Sequence, residues 1–447
     1  MDYLIMAGQL MLSLSILIVL HELGHFLPAR LFGTRVEKFY LFFDPWFSLL
    51  KYQKGETEYG IGWLPLGGYV KISGMIDESM DTEQMKQPPQ PWEFRSKPAW
   101  QRLVIMLGGV TVNFILGFFI FGMVLWAWGE EYLPNDRLEY GIFADSLGME
   151  MGLRDGDQIV AIGEKPFVRF NDRELIREVI INNASSITVR RDGQQQVLPI
   201  DPKFVQILSS HESKNKTLFG PRTPFVAAQL LKGSPAEAAG IEAEDRIIAL
   251  NGQPTPFFID FFRLAQEQRG VPVTVTVLRQ DTDTLQLNMT TSEDGKVGIY
   301  PYSAAYFFGT ERQEYSLAQA LPAGVARGWG FLTDQFKAFG QMFRGSIKAS
   351  ESLGGFGTIG SMFGSVWDWQ HFWRMTAILS LILAFMNLLP IPALDGGHVM
   401  FLLYEVVTGR KPSDKFMEHA TMVGFIIVLG LVLYANGLDI FRAWFSK

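Results

Sequence analysis

Two histidines four residues apart bracket a glutamate in "HELGH", His21 to His25. On a helix this spacing puts both imidazoles on one face, where they can reach a single cation. Glu22 then sits on the neighbouring part of that face, able to hold a water and take its proton. Gly24 is expected to leave room beside the metal. Neutral imidazoles with an oxygen ligand suit Zn2+, which brings the pKa of a coordinated water toward about 7. A catalytic zinc also needs a third protein ligand and an open fourth position. No second acidic residue or further histidine follows at the spacing a soluble zinc peptidase would use, since the chain after His25 reads "FLPARLFGTRVEKFY". The candidate lies far away, in "AFMNLLPIPALDGGHVMF". Asp395 there follows a helix-breaking Pro390–Pro392 pair and precedes Gly396 and Gly397. His398 is a rival ligand, better suited to a supporting or interfacial role.

The elements that must position these residues are unusual for a water-using site. Four windows hold nearly all the uncharged apolar length: Tyr3–Leu20, Leu103–Trp128, Met375–Leu394 and Thr421–Leu438. Each is about as long as a membrane-spanning helix requires, roughly 17–25 residues. HELGH ends the first window and Asp395 follows the third. Ionisable groups at membrane depth are costly and usually functional, and broken backbone there is tolerated only inside protein or along a wet cavity. The first window lacks a basic leader and a small-residue cleavage site, so it reads as a retained span.

Lys and Arg near the span ends set the orientation. Residues 1–20 carry none, whereas Arg30, Arg35, Lys38, Arg95, Lys97 and Arg102 lie between the first two spans. The second span is followed by the mostly acidic "GEEYLPNDRLEY", and "TGRKPSDK" separates the third from the fourth. Both termini and residues 129–371 are expected outside, with 31–102 and 409–418 inside. A net charge of -7 argues against a nucleic-acid partner. With no cysteine, any metal must rest on histidine and carboxylate.

The outer segment repeats itself at a shift of 88 residues: "GLRDGDQIVAIGEKP" (Gly152–Pro166) over "GIEAEDRIIALNGQP" (Gly240–Pro254), and "ITVRR" over "VTVLR". Each unit reads turn, strand, turn, helix, strand, which predicts two α+β modules. "SPAEAAGIEAEDRIIALNGQP" resembles the core of a PDZ domain of the protease-associated type, and "DSLGMEMGLRDGDQIVAIGEKP" a more diverged one. PDZ domains bind extended peptides along a sheet edge, so a peptide ligand is an expected partner.

"HELGH" in a first span with "NLLPIPALDGGH" in a third resembles the bacterial site-2 proteases. Tandem PDZ modules between the second and third spans are similar to those of the regulator-of-sigma-E protease type. The resemblance covers essentially the whole chain. It implies a polytopic α-helical membrane protein with four transmembrane helices, a membrane-associated β-hairpin and two inserted PDZ domains. The domains would be the first span at 1–30, a cytoplasmic-side loop at 31–102 with a re-entrant hairpin at 57–74, and the second span at 103–128. PDZ domains at 138–202 and 222–300, amphipathic linker helices at 312–370, a third span with its LDGG loop at 372–408 and a fourth span at 418–440 would follow.

The same resemblance implies zinc held by His21, His25 and Asp395, with Glu22 as general base. Asn387 would contact substrate backbone, and Gly67, Gly68 and Tyr69 of the hairpin would present substrate as an extended strand. The implied activity is endoproteolysis of single-span, anti-sigma-factor-like membrane proteins already trimmed by another protease. The place would be the bacterial inner membrane, with the PDZ domains and both termini on the periplasmic side and the active site opening to the cytoplasm. "LGGVTVNFILG" departs from the family, with Gly109-Val110 where Gly-Pro is common; Asn113 and Phe114 remain. "GGFGTIG" likewise lacks a usual proline. A non-catalytic peptide-binding membrane scaffold is the alternative, and a base beside the metal counts against it. A transporter lacks the inverted repeat that would support it.

Overall fold

Among the described residues four helices are long and apolar enough to cross a membrane: Asp2–Leu31, Ala99–Trp128, Trp369–Leu388 and the stretch Lys415–Trp444 of helix Asp414–Phe445. The computed structural model describes residues 2–65, 67–75, 87–210, 213, 216–348, 350 and 353–445. The chain forms two compact units: Met1–Gly129 with Glu314–Phe336 and Leu353–Lys447, and Glu130–Gln313 with Lys337–Ser352.

In the helical unit, the second helix starts after Pro98 and stops at Gly129, whose φ of 66° suits glycine. The third is capped by Asp368, which accepts from the amides of Gln370 and His371. The third span is not one helix through 408. Pro390 and Pro392 cannot donate to a helical ladder, so the helix ends at Leu388 and a new one runs Asp395–Thr408. Between them Ala393 takes a φ of 112°, rare for a residue with a side chain. Gly396 and Gly397 pack against the break: a methyl on either would come within 2.5 Å of backbone at Leu388 or Ile391. Asp395 therefore opens a helix instead of hanging in a loop.

Helix Leu317–Phe343 is more than a surface-lying linker. Gly324 and Gly328 press on Phe118 and Gly122 of the second helix, and a methyl at Gly328 would approach Leu381 of the third to 3.1 Å. Small residues four apart allow such close helix contact in lipid. Helix Phe356–Ser361, within the proline-less glycine run, is fixed to the fourth helix by Asn436 and Asp439, which accept from the amides of Phe356 and Thr358.

Between the first two spans lies a four-stranded sheet of β1 (Val36–Leu41), β2 (Phe43–Lys54), β3 (Thr57–Leu64) and β4 (Tyr69–Ile72), ordered β2-β3-β1-β4. The hairpin expected at 57–74 is thus corrected. β3 pairs antiparallel with β2, while β1 separates β3 from β4, parallel to the first and antiparallel to the second. Buried Tyr40 on β1 holds the centre, and Gly60 opposite leaves space for its ring. Alternation marked the strands but could not say which neighbour each would take. Leu66, in the crossing between β3 and β4, lies outside the described residues.

The second unit holds the repeat. Strands Gln158–Ile162, Lys165–Pro166, Ser186–Arg191 and Gln194–Pro199 form one sheet. Strands Arg246–Leu250, Gln253–Pro254, Pro272–Arg279 and Asp283–Thr290 form another in the corresponding order. Helix Asp172–Asn182 serves the first and Phe258–Glu267 the second. Each module closes with the same device. Arg191 forks onto buried Asp157 and the Gly152 carbonyl, and Arg279 forks onto Asp245 and the Gly240 carbonyl. A bidentate guanidinium satisfies a buried carboxylate as lysine could not. The first module extends beyond 202: Phe204, Leu208, Leu218 and Phe219 belong to its core, and strand Phe219–Pro221 pairs with Ile142–Ala144.

Candidate metal centre

The first helix carries His21 and His25 one turn apart, and the short helix after the proline break brings Asp395 to them. The Nε2 atoms of the two imidazoles stand 3.3 Å apart. Asp395 Oδ2 lies 3.3 Å from His21 Nε2 and 3.4 Å from His25 Nε2. Three ligand atoms thus form a nearly equilateral triangle, although Asp395 is 370 residues beyond His25 in the chain.

Zinc fits this arrangement on two observations. Ligand atoms about 2.0–2.1 Å from a tetrahedral zinc stand about 3.3–3.4 Å from one another, which is the size of the triangle. Asp395 Oδ2 is also buried without a hydrogen bond of good geometry among the described residues, a costly position for an oxygen that coordinates nothing. The tautomer of His25 agrees as well. Its Nδ1–H donates to the Ile105 carbonyl at 2.8 Å, which leaves the Nε2 lone pair toward the triangle.

The second helix packs against this cluster through glycine. A methyl on Gly24 would come 2.5 Å from the Gly108 carbonyl oxygen and 2.8 Å from the Gly109 Cα. The role expected for Gly24 is therefore corrected: it makes room for a neighbouring helix, and it is Gly109 that makes room for the imidazoles. A methyl on Gly109 would meet His21 Cε1 at 2.6 Å and Nδ1 at 2.8 Å. Ile105, Gly109 and Asn113 follow one another at helical spacing on this face. The sequence marked Ile105 only as part of an apolar run and Gly109 only as a departure from the family's usual Gly-Pro, although a Gly-Gly pair inside a span is itself a signal of close helix approach.

Glu22 is partly buried beside the cluster. The chain entering β4 crosses it: a methyl on Gly68 would lie 3.5 Å from Glu22 Cγ and 2.5 Å from Ile18. Gly67 beside it has a φ of 155°, a region that disfavours a side chain. The Tyr69 ring is turned into the sheet, stacked 5.3 Å from Tyr40, with its hydroxyl donating to Asp44 at 2.8 Å. Asn387, at the end of the third helix, reaches His21 Nε2 at 3.4 Å through its amide. His398 stands apart from the triangle, lining a cavity with Gly74, Phe94, Arg102 and Glu405. Arg102 donates to Glu405 there at 2.5 Å, tying the start of the second helix to the helix that begins with Asp395.

Membrane-length helices around a largely buried His–His–Asp cluster with a glutamate at its side define a membrane metallopeptidase. The family model for peptidase family M50 matches residues 9–431, and the chain belongs to that family. It is 28% identical to a Neisseria meningitidis protein that bears a zinc metalloprotease name, over 96% of this chain and 97% of the relative. It is 27% identical to the regulator of sigma E protease of Haemophilus influenzae, over 99% and 100%. Identity to the regulator of sigma-E protease RseP of Escherichia coli is 26%, over 96% and 97%. The chain is a zinc metalloprotease of the membrane.

Proposed function

We propose that His21, His25 and Asp395 hold the zinc, that Glu22 is the general base, and that the bond cut belongs to a single-span membrane protein. When bound, zinc lowers the pKa of a water and polarises a carbonyl. Glu22 takes the proton of the attacking water and returns it to the leaving amine, as general acid–base catalysis requires. The observation that carries this reading is the triangle of ligand atoms built from the first membrane-length helix and the short helix that follows the third, with Glu22 one residue from His21.

A helical peptide bond hides its carbonyl in the backbone ladder, so a membrane-spanning substrate must be unwound before attack. β4 is an edge strand, and the Gly67–Gly68 crossing leads into it directly over Glu22. A substrate strand added to β4 would carry its backbone past the base, with Asn387 donating to one of its carbonyls. In this role Gly67, Gly68 and Tyr69 contribute main chain; the Tyr69 side chain anchors the sheet. β2 exposes Trp46, Phe47, Leu49 and Leu50, an apolar edge suited to lipid.

The two repeated modules act as PDZ domains on the periplasmic side, docking substrates or excluding those with bulky outer parts. The basic flanks of the first two spans favour a site open to the cytoplasm. Relatives named as regulators of sigma E support an anti-sigma-factor-like substrate, cut after an earlier trimming.

The test is cleavage of a single-span substrate by the purified full chain in detergent, wild type against Glu22→Gln at matched zinc content. Wild type is expected to cut, and the variant to lose activity by about 100-fold or more. Equal cleavage by both would remove Glu22 from its role.

A further inference from the structure

We propose that Asn113 is a positioning residue: its amide oxygen accepts from Nδ1–H of His21 and so directs the Nε2 lone pair of that ring at the metal. The inference rests on the zinc site proposed above and concerns a residue outside its ligand set. A neutral imidazole ligates through one nitrogen while the other carries the proton and needs an acceptor. For His25 the Ile105 carbonyl is that acceptor. Among the described residues His21 Nδ1 has no backbone carbonyl as partner. Its Nδ1 instead faces the side-chain amide of Asn113, 3.2 Å away.

Asn113 is fully buried in the second helix, with its backbone carbonyl accepting from Ser380 Oγ at 2.8 Å. The amide turns its nitrogen to His21 and leaves Oδ1 buried without a partner among the described residues. An amide end pairs with either tautomer, because its oxygen and nitrogen exchange places on a half-turn. With the nitrogen facing the ring, Nδ1 accepts and Nε2 must carry the proton, which blocks ligation. With the oxygen facing the ring, Nδ1–H donates to Oδ1 and Nε2 presents its lone pair, while the amide nitrogen takes the place that Oδ1 occupied. Zinc binding by His21 therefore requires the second orientation. One face of the second helix then supports both histidines: Ile105 for His25, Gly109 for the space and Asn113 for His21.

The experiment measures zinc affinity of the full chain in detergent by competition with a chromophoric chelator, for wild type, Asn113→Leu and Asn113→Asp. Removing the acceptor with leucine is expected to weaken binding by about 10–100-fold, the usual effect of losing such a partner. Aspartate keeps an acceptor and should bind zinc within a few-fold of wild type. Nitrogen-15 spectra of histidine-labelled, zinc-loaded wild type should show the His21 proton on Nδ1. A proton on Nε2, leucine binding as tightly as wild type, or aspartate failing as badly as leucine would each overturn the assignment. Should the leucine variant not fold, the aspartate variant and the wild-type spectrum decide. If wild type itself binds no zinc, the metal site fails rather than the role of Asn113.

Discussion

A single methyl group can separate the packing of the proposed metal ligands from their chemistry, and Gly24 is the place to put it. Its Cβ would strike the backbone of Gly108 and Gly109, which cannot rotate away. Gly24→Ala should force the first two helices apart, cost about 1–3 kcal/mol as overpacking does, and weaken zinc binding, because His21 and His25 flank the glycine. Gly8→Ala in the same helix is the control, since nothing lies within 4 Å of that added methyl. Thermal unfolding and zinc competition should distinguish the two; equal behaviour would mean that helix contact does not set the ligand spacing. At this scale the sequence pointed to the three residues that the fold brings together, His21, His25 and Asp395. His21, Glu22 and His25 carry their meaning in their spacing, and Asp395 in being an acid beside broken apolar helix. The packing around them was not legible, because Gly24 and Asn113 depend on a helix remote in sequence.

At the scale of elements, local pattern located pieces and misjudged their joining. Charge-free length identified four helices, and the two prolines announced the break before Asp395. The alternating stretch 57–74 contained two real strands. Their pairing depends on β1, which a window on 57–74 cannot include, so a hairpin was expected where a four-stranded sheet stands. Helix Leu317–Phe343 misled similarly. Its amphipathic face suggests a surface, whereas Gly324 and Gly328 place it against two spans. The end of the first module was missed because Phe204 and Leu208 follow the last strand of the repeat and have no counterpart in its 88-residue match.

Over the whole molecule, the 88-residue repeat was legible in the sequence, whereas the paired arginine forks that close its two copies were not. The bond between its two copies was invisible beforehand. Arg263, on the helix of the second module, donates to Asp155 and to the Ala144 carbonyl of the first. Burial pushes the Asp155 carboxyl upward, but Arg263 and the Ala144 amide outweigh it and hold it below the usual carboxylate range. A carboxyl depressed in the folded state adds stability above its unfolded pKa, about 3.9 for aspartate, and loses it as pH falls through the lower folded value. Asp155→Asn should therefore melt earlier than wild type at neutral pH, by an amount worth at most about 1 kcal/mol for so exposed a pair. The gap should close as pH drops below about 4; a gap that persists there would show that the charge is not its source.

On the proposed function, HELGH sits in an apolar helix because the bond it cuts is itself in the membrane. Mass-spectrometric mapping of the fragments that the full chain makes from a single-span substrate in lipid vesicles tests this most directly, with Glu22→Gln as the blank. New termini are expected within or immediately beside the apolar span, absent from the blank. Cuts confined to the water-exposed flanks of the substrate would contradict it.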